Sequence, residues 1–333
     1  MRYISSLQDW AEQAARVPGS KVEVVANAQD ACLLIVGENA AAEGDFREAP
    51  SWNSGKNHIV WWANTGFPAV RGHVAGHGDW MSPNTFAYAA LAASVFTPLT
   101  FRSGYDVGLA LPPKQNPPPE AALRSDPSEI AAALRRKQYL VTFRGKYTLE
   151  IFPWEQHRYV ASEYLHDPKN GVVIDVYCPP TNDSYSQKAD MRGLLLNSTF
   201  AFTPGGGGPH SYRFAEALSF GTIPVVTTDL ILPFEPDVDW GGCVVRVSER
   251  SLVVMHHILR RIDDAEVLAR QRECARLFHM VLTPTAHITA QPRVQPRELD
   301  ADKAQFMLML EVFARRVHGA RHRLKWASGA KRE

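Results

Sequence analysis

Residues Asn197–Asp239 read NSTFAFTPGGGGPHSYRFAEALSFGTIPVVTTDLILPFEPDVD, which spells strand, glycine loop, helix and strand in one run. Ser198–Thr203 is apolar and β-branched enough for a short buried strand, and Pro204, the glycines Gly205–Gly208 and Pro209 must end it. Ser211 is a natural N-cap for a helix from about Tyr212 to Phe220, Gly221 terminates that helix, and Ile223–Thr227 resumes a strand. This is half of a doubly wound unit. A helix start of this kind offers unpaired N–H groups and a positive dipole end, and glycines let a phosphate approach the backbone closely. The stretch has the outline of an anion site.

Arg213 and Glu216 are three apart and share one face of that helix, while Phe214, Ala217, Leu218 and Gly221 follow the spacing of the face that packs on a sheet. The arginine suits phosphate and the glutamate suits ribose hydroxyls, although a solvated ion pair has the same spacing. Two common phosphate motifs are excluded. No Gly-Lys-Ser/Thr follows the glycines, and His210 stands where G-x-G-x-x-G needs its third glycine.

The run Leu194–Trp240, with RFAEAL, GTIPVV and LPFEPDVDW, resembles the nucleotide-sugar-binding half of the exostosin-like glycosyltransferases. The resemblance extends upstream through SWNSGKNHIVWW (Ser51–Trp62), FRSGYDVGLALP (Phe101–Pro112) and YLVTFRGK (Tyr139–Lys146), in the family's order. It implies an α/β fold of the GT-B kind, with two Rossmann-like domains and a cleft between them. It also implies inverting transfer of a sugar from a nucleotide donor, commonly UDP-linked, to a glycan or glycoconjugate hydroxyl, with no metal or other cofactor required.

Carried onto this chain, the resemblance gives Arg213 the diphosphate and Glu216 the ribose. Gly206 and Gly207 sit in the backbone cradle, with His210 and Ser211 completing the loop. Arg144 and Lys146, at the C-terminal end of a strand, stand where ligands gather in open α/β sheets and could neutralise the departing diphosphate. Many relatives carry arginines in the loop before RFAEAL, whereas this chain has GGGGPH, so phosphate charge must be met elsewhere. Inversion needs a base from the first domain. His58 and Asp79 are the candidates, against the plainer readings of a core histidine and a loop cap.

Two metal readings compete. Asp237 and Asp239 form a D-x-D, here read as a turn, and His73, His77 and Asp79 could ligate zinc in a metal-dependent hydrolase were Gly72, Gly76 and Gly78 not there to break a helix. A third possibility is a catalytically weak exostosin-like partner subunit, in a homo- or hetero-dimer.

The chain has 333 residues, 45% of them hydrophobic and 21% charged, enough for two domains. A formal net charge of +1 argues against nucleic acid as a partner. The basic excess is confined to Arg315–Lys331, read as a solvated tail. Cys32, Cys178, Cys243 and Cys274 are scattered without C-x-x-C, so buried free thiols are expected. No transmembrane segment is expected, since the longest apolar run, Phe86–Phe96, is about half of a bilayer span. The expected location is the cytoplasm if the chain is complete and the Golgi lumen if an N-terminal anchor is missing. Sequons at Asn182 and Asn197 matter only in the secretory pathway.

Punctuation suggests three parts: residues 1–125 as an acceptor-side Rossmann-like domain, 126–295 as the nucleotide-sugar-binding domain, and 296–333 as a terminal helix packing back on the first domain. Strands are expected at Lys21–Val25, Ala31–Val36, His58–Trp62, Gln138–Phe143, Val172–Tyr177 and Cys243–Val247. Helices are expected at Thr85–Phe96, Asp126–Lys137, Ser251–Ile262, Asp264–Leu282 and Asp302–His318.

Overall fold

The computed structural model describes residues 2–20, 22–37, 48–63, 88–94, 96–114, 137–147, 153–177, 191–283 and 298–329. Both expected domain boundaries, residues 126–136 of the expected helix Asp126–Lys137, and the residues His73, His77 and Asp79 lie outside these segments.

The first unit is a parallel sheet in the order β1 (Leu34–Val36), β2 (His58–Trp62), β3 (Ala90–Ala93), β4 (Val107–Gly108). Ala90–Ala93 is a strand and not the expected helix. The reason is steric and non-local: Trp61 registers with Ala92 and Trp62 with Ala93, so small residues lie beside the largest side chains in a fully buried sheet. Lys21–Val25 forms no strand among its described residues, 22–25, whose side chains stay largely exposed and which pair with no strand among the described residues. Ala31–Val36 shortens to β1.

The faces of β2 separate with period two. Ile59 and Trp61 join the core that includes Trp10 of α1 (Arg2–Ala15) and Phe306 of α6 (Glu298–Gly329), with Trp61 edge-on to Phe306 at 5.4 Å. Val60 and Trp62 face Trp52, Leu91 and Phe96. Helix α6 is fastened to the first unit by Gln305, whose Oε1 accepts from Ala110 N at 2.7 Å and whose Nε2 donates to Ala110 O at 3.1 Å.

The second sheet, also parallel, runs β6-β5-β7-β8-β9, with β5 (Tyr139–Lys146) and β6 (Val172–Tyr177) flanked by α2 (Gln156–Leu165). Strands β7 (Ser198–Phe202) and β8 (Ile223–Thr227) are joined by α3 (Tyr212–Ser219), and β9 is Val245–Val247. Gly221 ends α3 at φ +65°, the left-handed conformation that glycine adopts without strain. The expected helix Ser251–Ile262 is a 3-10 turn, Glu249–Val254, followed by α4 (Met255–Leu259). Asp264–Leu282 is α5, capped by the Asp263 carboxylate on Glu266 N.

The units share one apolar core, in which Trp61, Ala92 and Val107 of the first sheet meet Phe214 and Leu218 of α3. Phe234 N donates to Gly108 O at 2.8 Å, and a Cβ on Gly108 would come within 2.8 Å of Leu232 O, so only glycine allows this approach. Arg316 of α6 bridges the units, donating to Asp106 O at 3.1 Å and to Asp237 at 2.5 Å.

Cys243 and Cys274 form a disulfide across 31 residues of sequence, tying the approach to β9 to α5. This corrects the expectation of free thiols there. Spacing gave no hint because the pairing is set by tertiary packing. Cys32 is free and exposed.

Asp106, wholly buried, fixes the start of β4: its carboxylate accepts from Leu91 N, Arg102 N and the Arg102 guanidinium at 2.6–2.9 Å. Asp106→Ala should cost about 3 kcal/mol, because it strands a guanidinium and a buried amide. Urea unfolding of the full chain tests this, and a loss under about 1 kcal/mol would deny the carboxylate this role.

Candidate functional site

In the second sheet the strand that comes first in sequence, β5, has β6 on one side and β7 on the other, an order of 2-1-3-4-5 in which winding reverses between β5 and β7. Connections leave the two strands in opposite directions at such a point, which opens a crevice at their C-terminal ends. Among the described strands of the first sheet the order never reverses. The crevice therefore belongs to the second unit, and its lips are Arg144–Lys146 at the end of β5 and the loop Thr203–His210 after β7.

A residue not singled out from sequence organises these lips. Arg158, on the first turn of α2, donates from Nε to Gly205 O at 2.8 Å and from Nη1 to Lys146 O at 2.5 Å, and pairs with Glu155 at 3.2 Å. It thus ties the glycine loop to the end of β5. A Cβ on Gly206 would meet Arg158 Nη2 at 2.8 Å, and one on Gly205 would meet Gly208 O at 2.7 Å, so the glycines here serve close packing around a guanidinium. Gly207 is the exposed tip. Burial pushes the Arg158 guanidinium down to about 10, partly offset by Glu155 and deepened by Arg213. The guanidinia of Arg158 and Arg213 lie 5.5 Å and 6.0 Å from the Phe143 ring.

Arg213 and Glu216 pair at 2.5 Å, and Arg213 Nη2 donates to Arg144 O at 2.8 Å. Arg213 Nε is buried without a partner among the described residues. Ser211 is extended, as an N-cap must be, yet its Oγ makes no cap bond and is likewise buried and unpartnered. These groups and the first amides of α3 converge on one helix start, an arrangement suited to an oxyanion. Arg144 pairs with Asp175 at 3.2 Å, and the Lys146 side chain is exposed.

His210 is buried, with Nε2 2.7 Å from Ile231 O, so Nε2 carries the proton and Nδ1 is a bare acceptor without a partner among the described residues. Burial pushes its pKa down to about 4, against the carbonyl contact and helped by Arg246, so the ring is neutral at pH 7. It anchors the loop to the segment after β8 and adds no charge.

His58 begins β2 and so lies at the N-terminal end of its strand, buried edge-on to Trp52 at 4.6 Å, with Nδ1 unpartnered among the described residues and its pKa lowered by burial. Asp237 holds Arg316, and Asp239 accepts from Gly241 N at 2.8 Å, the contacts of a structural turn. Among the described residues no group of three His, Cys, Asp or Glu side chains is placed to hold a metal.

Sequence could not have singled out Arg158. It lies 47 positions before Gly205, and its only local signal is a Glu155–Arg158 spacing shared by countless solvated pairs.

A depressed histidine pKa destabilises the fold on acidification: the stability is whole above 6.5 and is lost as pH falls toward about 4, because the unfolded chain binds the proton first. Over that window His210 should account for roughly 3 kcal/mol of lost stability. His210→Gln should flatten the pH dependence of urea midpoints between pH 6.5 and 4, and an unchanged slope would refute the assignment.

An exostosin GT47 domain model matches residues 40–262. Exostosin-1 of Drosophila melanogaster is 29% identical over 274 residues, which make up 74% of this chain and 35% of that protein. The Exostosin-1 homolog of Caenorhabditis elegans is 28% identical over 239 residues, 66% of this chain and 60% of that protein. The chain thus spans less than two thirds of the length of these relatives. The crystal structure of Anabaena Alr3699/HepE in complex with UDP overlaps at a TM-score of 0.39 and 11% identity, covering 82% of this chain and 79% of that one, too loosely to carry an argument.

Proposed function

The chain belongs to the exostosin GT47 domain family, and from that premise we propose that it is a glycosyltransferase taking a sugar from a UDP-type donor to a glycan or glycoconjugate hydroxyl, with inversion and without a metal. The observation that supports this best is the oxyanion-suited helix start of α3 lying at the winding reversal of the second sheet.

In this reading the donor diphosphate lies on the Ser211–Arg213 amides, with Arg213 Nε and Ser211 Oγ as added donors and Arg144 and Lys146 on the opposite lip. Arg158 holds the lips in register. Glu216 gives one oxygen to Arg213 and keeps the other for ribose. The acceptor oxygen bonds to the anomeric carbon as its proton passes to a base from the first unit. The bond from that carbon to the diphosphate oxygen breaks, and its electron pair leaves on the diphosphate. The charge then grows where the N–H groups already point.

His58 and Asp79 are the candidate bases. His58→Gln or Asp79→Asn should lower turnover at saturating donor by about 100-fold or more if the residue is the base, and wild-type turnover in both would remove both. Arg213→Ala should lower kcat/KM by about 100-fold or more. Release of UDP from a nucleotide-sugar panel, with and without a chelator, provides the assay. No shift in thermal midpoint with any nucleotide sugar would favour a non-catalytic partner subunit instead.

The Cys243–Cys274 bond supports folding in an oxidising compartment such as the Golgi lumen over the cytoplasm. Among the described residues no helix is long and apolar enough to cross a membrane. Mass analysis of the alkylated, unreduced protein from its native source should leave Cys243 and Cys274 unmodified, and labelling of both would count against this location.

A further inference from the structure

The ammonium of Lys114 sits 3.7 Å from the centre of the Tyr212 ring. Tyr212 is the first residue of α3, so the contact lies beside the helix start described above. Lys114 hangs from the other unit. It is the first exposed residue after the buried run Leu109–Pro113, which is fixed by the paired Gln305–Ala110 hydrogen bonds and by Leu109 N donating to Ala93 O.

This is an unfavourable place for a cation in the absence of an anion. The N-terminal end of a helix repels positive charge, and the guanidinium of Arg213 is on the next residue. The ring quadrupole of Tyr212 offsets part of that cost and leaves two N–H groups of the ammonium free to donate. The neighbouring arginines already face carboxylates: Arg144 pairs with Asp175, Arg158 with Glu155 and Arg213 with Glu216. They can donate hydrogen bonds, but little net charge remains to neutralise a diphosphate. Lys114 has no carboxylate partner among the described residues.

We propose that Lys114 is the first unit's contribution to the donor site, an ammonium seated on Tyr212 that contacts the diphosphate of a nucleoside diphosphate held at the start of α3. The inference rests on the donor-site reading above. It supplies from across the unit boundary the charge that the GGGGPH loop lacks, and it makes diphosphate binding depend on both units being in place.

Calorimetric titration of the full chain with UDP and with uridine tests the proposal. Lys114→Met should weaken UDP by about tenfold, the size of one charge-assisted hydrogen bond, and leave uridine unchanged. Lys114→Arg and Tyr212→Phe, which keep the charge and the ring face, should bind UDP within about threefold of wild type. Wild-type UDP affinity in Lys114→Met would overturn the role of Lys114 while leaving the donor site standing. Failure of the unaltered chain to bind either UDP or uridine would overturn the donor-site reading and this inference with it. Lys114 is exposed, so an unchanged thermal midpoint will show that Lys114→Met folds.

Discussion

The site depends on one buried guanidinium. Arg158 joins Gly205 O to Lys146 O and so fixes the distance between the ends of β5 and β7, the strands between which the sheet reverses its winding. That tie acts with the Gly206 N–Gly208 O bond and the His210 anchor to hold four consecutive glycines, which surrender more backbone entropy on ordering than any other residue. A Cβ on Gly205 would meet backbone at 2.7 Å and one on Gly206 the Arg158 guanidinium at 2.8 Å, and beside this loop Ser211 Oγ and Arg213 Nε have no partner among the described residues. A buried cation is costly, and here Glu155, two carbonyls and the face of Phe143 offset the cost.

A second set of contacts fixes that lip against the first unit. The segment after β8 accepts His210 through Ile231 O and reaches β4 through Phe234 N and Gly108 O. Its continuation holds Arg316 of α6 through Asp237, and the Cys243–Cys274 bond closes the far end onto α5. Glycine loop, first sheet and terminal helix thus meet at one stretch of chain. The shared core of Trp61, Phe214, Leu218 and Phe306 makes the join apolar as well as polar. The geometry argues for two units that keep a set relation, so that a side chain from the first can serve a site on the second.

The strand–loop–helix–strand unit from Ser198 to Thr227 is legible in the sequence because its boundaries are local. Proline and glycine end β7, Gly221 needs a positive φ, and β8 occupies Ile223–Thr227 as its apolar β-branched run suggests. Ala90–Ala93 was misread because alanine favours helix on its own, and only the register against Trp61 and Trp62 makes small strand residues the better choice. Lys21–Val25 shows the converse: a valine-rich run with no strand paired to it among the described residues forms none over residues 22–25. The clamp and the disulfide were illegible for a common reason. Arg158 and Cys274 find partners 47 and 31 residues away, and no spacing rule reaches that far.

The glycine loop lacks arginines, yet the helix start is not short of donors. Its deficit is in charge. His210 is held neutral by burial, and Arg144, Arg158 and Arg213 are each matched by a carboxylate, an arrangement that limits the mutual repulsion of the three guanidinia. A site of paired guanidinia can direct hydrogen bonds accurately but neutralises a dianion poorly, because each cation is already shared. The remaining positive charge must then come from the α3 dipole and from ammonium groups that are not so shared. Lys146 extends the lip of β5, and Lys114 reaches the start of α3 from the first unit. On the proposed donor reading, geometry comes from guanidinia that are paired and at most partly exposed, and charge from ammonium groups that are exposed. On that proposed reading, this division lets a loop of glycines take the place of a loop of arginines.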